Sequence, residues 1–125
     1  MGLLDGTGME KRRYIRVSSH FPIKYYSVED TDAARAPYEA MSDNISIGGI
    51  MFFAETQYRI NETLRLEFKL GTIELSIFGR IAWLDEIEAG KIYNTGVEFQ
   101  NLSQQQKDDL GTFVNSMIKD RQMRS

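Results

Sequence analysis

Residues 64–83 alternate apolar and polar side chains almost without interruption. Leu64, Leu66, Phe68 and Leu70 interleave with Arg65, Glu67 and Lys69. After Gly71-Thr72, the residues Ile73, Leu75, Ile77, Ile81 and Trp83 continue the same phase, with Gly79 in an inward slot. A period of two is the mark of a strand with one buried face, so this stretch reads as two long strands joined by a tight turn. Gly79 inside the second predicts a bend or bulge, the device that curves a sheet toward closure.

Other strands can be placed around this pair. Phe21, Ile23 and Tyr25 share one face and Lys24 and Tyr26 the other, with Pro22 near the strand start where a missing donor is tolerated. Residues 28–36 are acidic and without strand character, a solvated connection. Pro37 to Ser42 forms a weaker second strand and Ile50 to Phe53 a third. Gln57 to Thr63 is polar with a turn at Asn61-Glu62, Glu86 to Gly90 makes another turn, and Tyr93, Thr95, Val97 and Phe99 line a last strand. The period then changes. Ser103 and Gln106 have the spacing of a capping box, and Leu110, Phe113, Val114, Met117 and Ile118 form one helical stripe. Gly111 costs that helix about 1 kcal/mol of propensity, so the stripe must pack on the sheet. Six short strands and one terminal helix predict a mainly β domain, a small six-stranded antiparallel β-barrel with a C-terminal α-helix. The expected organisation is a disordered leader over 1–8, a flexible arm over 9–20, the barrel over 21–100, the helix over 103–118 and a frayed tail over 119–125.

A chain of 125 residues has the size of one domain. It has no cysteine, which excludes disulfides, thiolate metal sites and a cysteine nucleophile. The apolar run from Ile47 to Ala54 is too short to span a bilayer, and Met1 to Asp5 has no basic region leading into an apolar one. A cytoplasmic protein with no membrane insertion is expected. Charge is unevenly spread. Lys11, Arg12, Arg13, Arg16 and Lys24 stand against Glu10 alone in residues 9–24, a local +4, so the net −3 leaves −7 elsewhere. Such a chain is poorly suited to coat a nucleic-acid polymer, which favours broad basic surfaces. It suits a small, compact anion.

Two stretches carry the chemistry. Lys11-Arg12-Arg13-Tyr14-Ile15-Arg16 supplies planar cations, and Asn44-Ile45-Ser46-Ile47-Gly48-Gly49 combines an amide, a hydroxyl and paired glycines. Read singly, the first is a solvated basic arm, whose surface ion pairs contribute about 0–1 kcal/mol each. The second is a hairpin or bulge turn. Read together, they describe a site. Arginines four apart on an extended arm lie on one side about 13 Å apart and can grip opposite ends of a flat dianion. Arginine pairs bidentately with phosphate and with the O6/N7 edge of guanine. Asn44 and Ser46 can read polar base edges, while Gly48 or Gly49 lets a ligand approach the backbone.

The pair of motifs resembles the PilZ domain family, bacterial receptors for cyclic diguanylate (c-di-GMP). That family carries Arg-x-x-x-Arg followed by Asp/Asn-x-Ser-x-x-Gly. Arg12 to Arg16 matches the first and Asn44 to Gly49 the second, with Asn in the leading place. Gly79-Arg80-Ile81-Ala82-Trp83, Thr95-Gly96-Val97-Glu98-Phe99 and the capped helix extend the likeness over roughly residues 9–118. The resemblance implies a barrel whose arm folds over c-di-GMP. Arg12 and Arg16 would contact guanine edges and phosphates with Arg13 supporting them, Asn44 and Ser46 would bind a guanine, and Gly48 and Gly49 would permit close approach. A non-enzymatic receptor that acts on a downstream protein is expected, without cofactor, its oligomeric state open between monomer and homodimer.

Two other readings compete. One is a PilZ-like interaction scaffold that binds no nucleotide. The other is a barrel holding single-stranded nucleic acid on Tyr14, Tyr25 and Tyr26, against which the −7 outside residues 9–24 argues. The acidic residues Glu67, Glu74, Asp85, Glu86 and Glu88 fall on outward strand positions or turns and read as a solvated face rather than as catalytic groups.

Overall fold

The computed structural model describes residues 15–28, 37–55 and 58–124. The leader, Arg12 and Arg13 lie outside the described residues. Among the described residues, seven strands, β1 (Val17–Ser18), β2 (Pro22–Ser27), β3 (Tyr38–Ile45), β4 (Gly49–Ala54), β5 (Thr63–Leu70), β6 (Ile73–Glu88) and β7 (Ile92–Gln100), precede one helix, α1 (Gln104–Arg124). All pairings are antiparallel, in the order β3-β2-β5-β6-β7-β4, and a β3–β4 ladder closes the ring. This is the expected six-stranded barrel. The extra strand β1 continues β2 along the same side of β3, pairing Val17 with Ile45 and Ser18 with Asn44.

Most of the alternating run behaves as its pattern dictates, although Ile73, beside the turn, is exposed. Leu64, Leu66, Phe68 and Leu70 are buried, as are Leu75, Ile77 and Ile81. With Ile23, Tyr25, Ile45, Ile50, Phe52, Val97 and Phe99 they form one core. Leu110 and Val114 of α1 enter that core, and Phe113 meets the edge of Phe21 at 6.1 Å. The capping box is reciprocal: the Gln106 amide donates to Ser103 Oγ at 3.1 Å and the Ser103 amide to Gln106 Oε1 at 3.0 Å. Ser103→Ala should lower stability by about 1 kcal/mol, measured by urea denaturation.

Three expectations are corrected. The distortion in β6 falls between Ile81 and Trp83, not at Gly79. Gly79 is needed for packing, because a Cβ there would strike the Val97 side chain. The bulge inverts side-chain parity beyond it, so Trp83 pairs with Gly96 on the outer face instead of joining the core. The last turn is also later, since β6 runs to Glu88 and Gly90 takes the positive φ of 71°. Finally, α1 continues through residues 119–124. These residues include no glycine or proline, so their propensity does not stop the helix.

Candidate functional site

The site is built on the short connection between β3 and β4. Ser46 is 3% exposed. Its Oγ accepts the Gly48 amide at 3.1 Å and the Gly49 amide at 3.2 Å, while its own amide donates to the Gly49 carbonyl at 2.9 Å. The Phe99 amide donates to the Gly48 carbonyl at 2.9 Å, tying the turn to β7. The hydroxyl thus organises the turn from within. Without it, two amides lose their acceptor, so Ser46→Ala should cost about 2 kcal/mol, visible as a lower urea midpoint at unchanged m-value.

The paired glycines serve close approach rather than an unusual backbone. The described glycines with positive φ are Gly71 and Gly90. Gly49 is buried where β4 meets β7, and a Cβ there would collide with the Val97 carbonyl oxygen.

Arg16 and Asn44, 28 residues apart, meet directly. Arg16 Nη1 donates to Asn44 Oδ1 at 2.7 Å. The meeting follows from the ladder: Ser18 pairs with Asn44, which places the residues just before β1 at the start of the turn. Buried Val17 anchors β1 in the core, whereas Arg16 is exposed and held by one surface hydrogen bond. Such a bond contributes only about 1 kcal/mol net. The guanidinium can therefore exchange partners at small cost.

Ladder pairings extend the site across the barrel wall. Asn44 pairs with Met51, Met51 with Gly96 and Gly96 with Trp83, forming one outward row across β3, β4, β7 and β6. The indole of Trp83 lies over Gly96, where a Cβ would overlap the ring. Neighbouring strands stand about 4.8 Å apart, so the row from Asn44 through Met51 to Trp83 spans roughly 14 Å of the outer wall, with Arg16 at its end. The next row pairs Gly49 with Glu98 and Glu98 with Arg80. Arg80 Nη2 meets the Glu98 carboxylate at 2.5 Å, which neutralises the acid flanking the turn.

Sequence reading did not place Met51, Trp83 and Asp43 around Asn44. Their positions depend on cross-strand register and on two bulges, which a period-two pattern does not reveal. An open groove of ≈ 750 Å³ elsewhere on β2, β5 and β6 is bordered by Lys24, Lys69, Glu39, Glu67 and Glu74 and includes no motif residue. Its mixed charge makes it a poor host for a dianion. Beside it, Arg65 lies 4.5 Å from the Tyr26 ring centroid and bridges the Tyr26 hydroxyl and Glu67. The hydrogen bond with Tyr26, outweighing partial desolvation and aided by Glu67, raises the Arg65 pKa. Among the described residues, no group of three or more His, Asp or Glu side chains could hold a metal ion, and no helix is long and apolar enough to cross a membrane.

A family model for the PilZ domain matches residues 10–116, and the chain belongs to the PilZ domain family. No curated protein sequence matches it. Among solved structures, it is similar to the Bacillus subtilis inhibitor of motility (MotI/DgrA), at 17% identity and a TM-score of 0.70, over 88% of this chain and 53% of that one. It also resembles the PilZ domain of Escherichia coli YcgR with c-di-GMP, at 14% identity and 0.68, over 91% of this chain and 96% of that one. The K. pneumonia MrkH–c-di-GMP complex follows at 13% and 0.65, over 91% and 55%. The chain thus spans about half the length of MotI and MrkH. At these identities the likeness is one of fold.

Proposed function

We propose that the protein is a receptor for c-di-GMP, bound on the outer strip between Arg16, Asn44 and Trp83. The observation that carries this reading is the 2.7 Å contact of Arg16 with Asn44, which joins the end of one motif to the start of the other. Family membership over residues 10–116 supports it. So do the YcgR and MrkH structures, whose ligand is c-di-GMP.

The chemistry fits the ligand. C-di-GMP offers two phosphates and two guanines, the groups that arginine recognises best. Arg16 turns from Asn44 to the ligand, Arg12 takes the far side from four residues upstream, and Arg13 adds charge beside them. Asn44 meets a guanine edge from the rigid barrel, and Met51 with the Trp83 indole gives an apolar surface for a base. Ser46 acts by fixing the turn, and Gly48 and Gly49 keep its backbone low enough for the ligand to lie close. The arm loses conformational freedom on binding, which couples ligand to shape and gives a downstream protein a surface to recognise. The receptor performs no catalysis and requires no cofactor.

Calorimetric titration of the wild type with c-di-GMP tests this. Saturable heat is expected, together with a thermal stabilisation of about 2.7 kcal/mol at a ligand concentration one hundred times Kd. Neither heat nor stabilisation would leave the ligand-free interaction scaffold as the better reading.

A further inference from the structure

Asp43 belongs to neither motif, yet it touches the residue that opens the second. In a regular strand, consecutive side chains point to opposite faces, so Asp43 and Asn44 should not meet. The β3–β4 register shifts between Ser42 and Asn44. With Ser42 and Ile45 both buried, the shift turns Asp43 and Asn44 outward together. The Ser19 amide donates to the Asp43 carbonyl at 3.0 Å and holds the distortion in place. As a result, Asn44 Nδ2 donates to Asp43 Oδ2 at 3.0 Å and faces Met51 Sδ at 3.6 Å, while Asn44 Oδ1 accepts from Arg16.

Resting on the c-di-GMP reading above, we propose that Asp43 is a specificity-determining positioning residue that locks the Asn44 amide with its oxygen toward the ligand. A primary amide carries a donor and an acceptor of nearly equal size, so a free Asn44 can present either. With Arg16 turned to the ligand and Nδ2 engaged by Asp43 and Met51, Oδ1 with both its lone pairs is what an incoming base meets. Asn44 then imitates a carboxylate. Guanine fits this, since N1–H and the N2 amino group stand side by side on its pairing edge. Adenine places the N1 acceptor there and is repelled. Removing Asp43 frees the amide to turn and weakens the preference.

The test is a double-mutant cycle on the full chain, titrated calorimetrically with cyclic di-GMP and cyclic di-AMP, with thermal unfolding of each variant to confirm folding. Asp43→Ala is expected to weaken cyclic di-GMP binding about tenfold, the loss of one charge-assisted hydrogen bond, and to narrow the guanine-over-adenine ratio. Asp43→Asn keeps an acceptor for Nδ2 and is expected to retain most of the affinity. In an Asn44→Asp background, residue 44 has only acceptors, so adding Asp43→Ala should cost nothing further. An equal loss in both backgrounds, or none with Asn44 present, overturns the inference and leaves the receptor reading standing. Absence of cyclic di-GMP binding by the wild type overturns both.

Discussion

Arg16→Ala is expected to weaken c-di-GMP binding by about one hundredfold while leaving the melting temperature nearly unchanged. The two halves of that result have separate causes. Arg16 is exposed and donates its hydrogen bond to the side chain of Asn44 at the surface, so the barrel loses little when it is removed. The ligand loses far more. A hydrogen bond to a charged partner contributes about 1.5–3 kcal/mol, and a guanidinium makes two in parallel on a phosphate or a guanine edge. Arg16→Lys separates charge from geometry: an ammonium keeps the attraction without the planar fork, so only part of the affinity should return. Calorimetry on the three proteins, with melting curves alongside, reads both halves. Unchanged affinity in Arg16→Ala would remove the residue from the site.

Gly49→Ala is expected to cost about 3 kcal/mol of stability, at the upper end of what overpacking usually costs. The new methyl would be driven into the Val97 carbonyl oxygen, a backbone atom that has no rotamer through which to withdraw. Relief requires β4 to move away from β7, and this strains the Gly49–Glu98 pairing and the bond from the Phe99 amide to the Gly48 carbonyl. That movement also disturbs the amides gathered on Ser46. Gly90→Ala makes the informative control. Gly90 has a φ of 71° with open space around its would-be Cβ, so its cost is the left-handed backbone alone, about 1–2 kcal/mol. Urea denaturation of the two variants should rank Gly49→Ala as the more damaging. The reverse order would mean that β4 yields more easily than its pairing implies.

Much of the barrel was legible because one buried face and a period of two leave few alternatives. Leu64 to Leu70 and Tyr93 to Phe99 bury the side chains that their spacing selects, and the α1 stripe buries Leu110 and Val114 while Phe113, Met117 and Ile118 pack partly buried against the core. The capping box was readable for a similar reason, since its two hydrogen bonds depend only on local spacing. What escaped is what a single inserted residue changes. The bulge after Ile81 carries Trp83 to the outer face, and the shift at Asp43 turns two neighbours outward together. An alternation rule has no term for either. The encounter of Arg16 with Asn44 was expected from the chemistry of the two stretches and follows structurally from the β1–β3 pairing. The interior position of Ser46 was not visible, because a serine in a turn looks the same whether it faces ligand or backbone.

The strip that starts at Arg16 and Asn44 is the proposed c-di-GMP site. A two-dimensional amide NMR titration of the full chain with c-di-GMP tests it most directly. Saturable shifts are expected at Arg16, Asn44, Gly48, Gly49 and Met51 and at the Trp83 indole, with Lys24, Glu67 and Lys69 in the separate groove unmoved. Shifts confined to that groove, or none at all under saturating ligand, would contradict it.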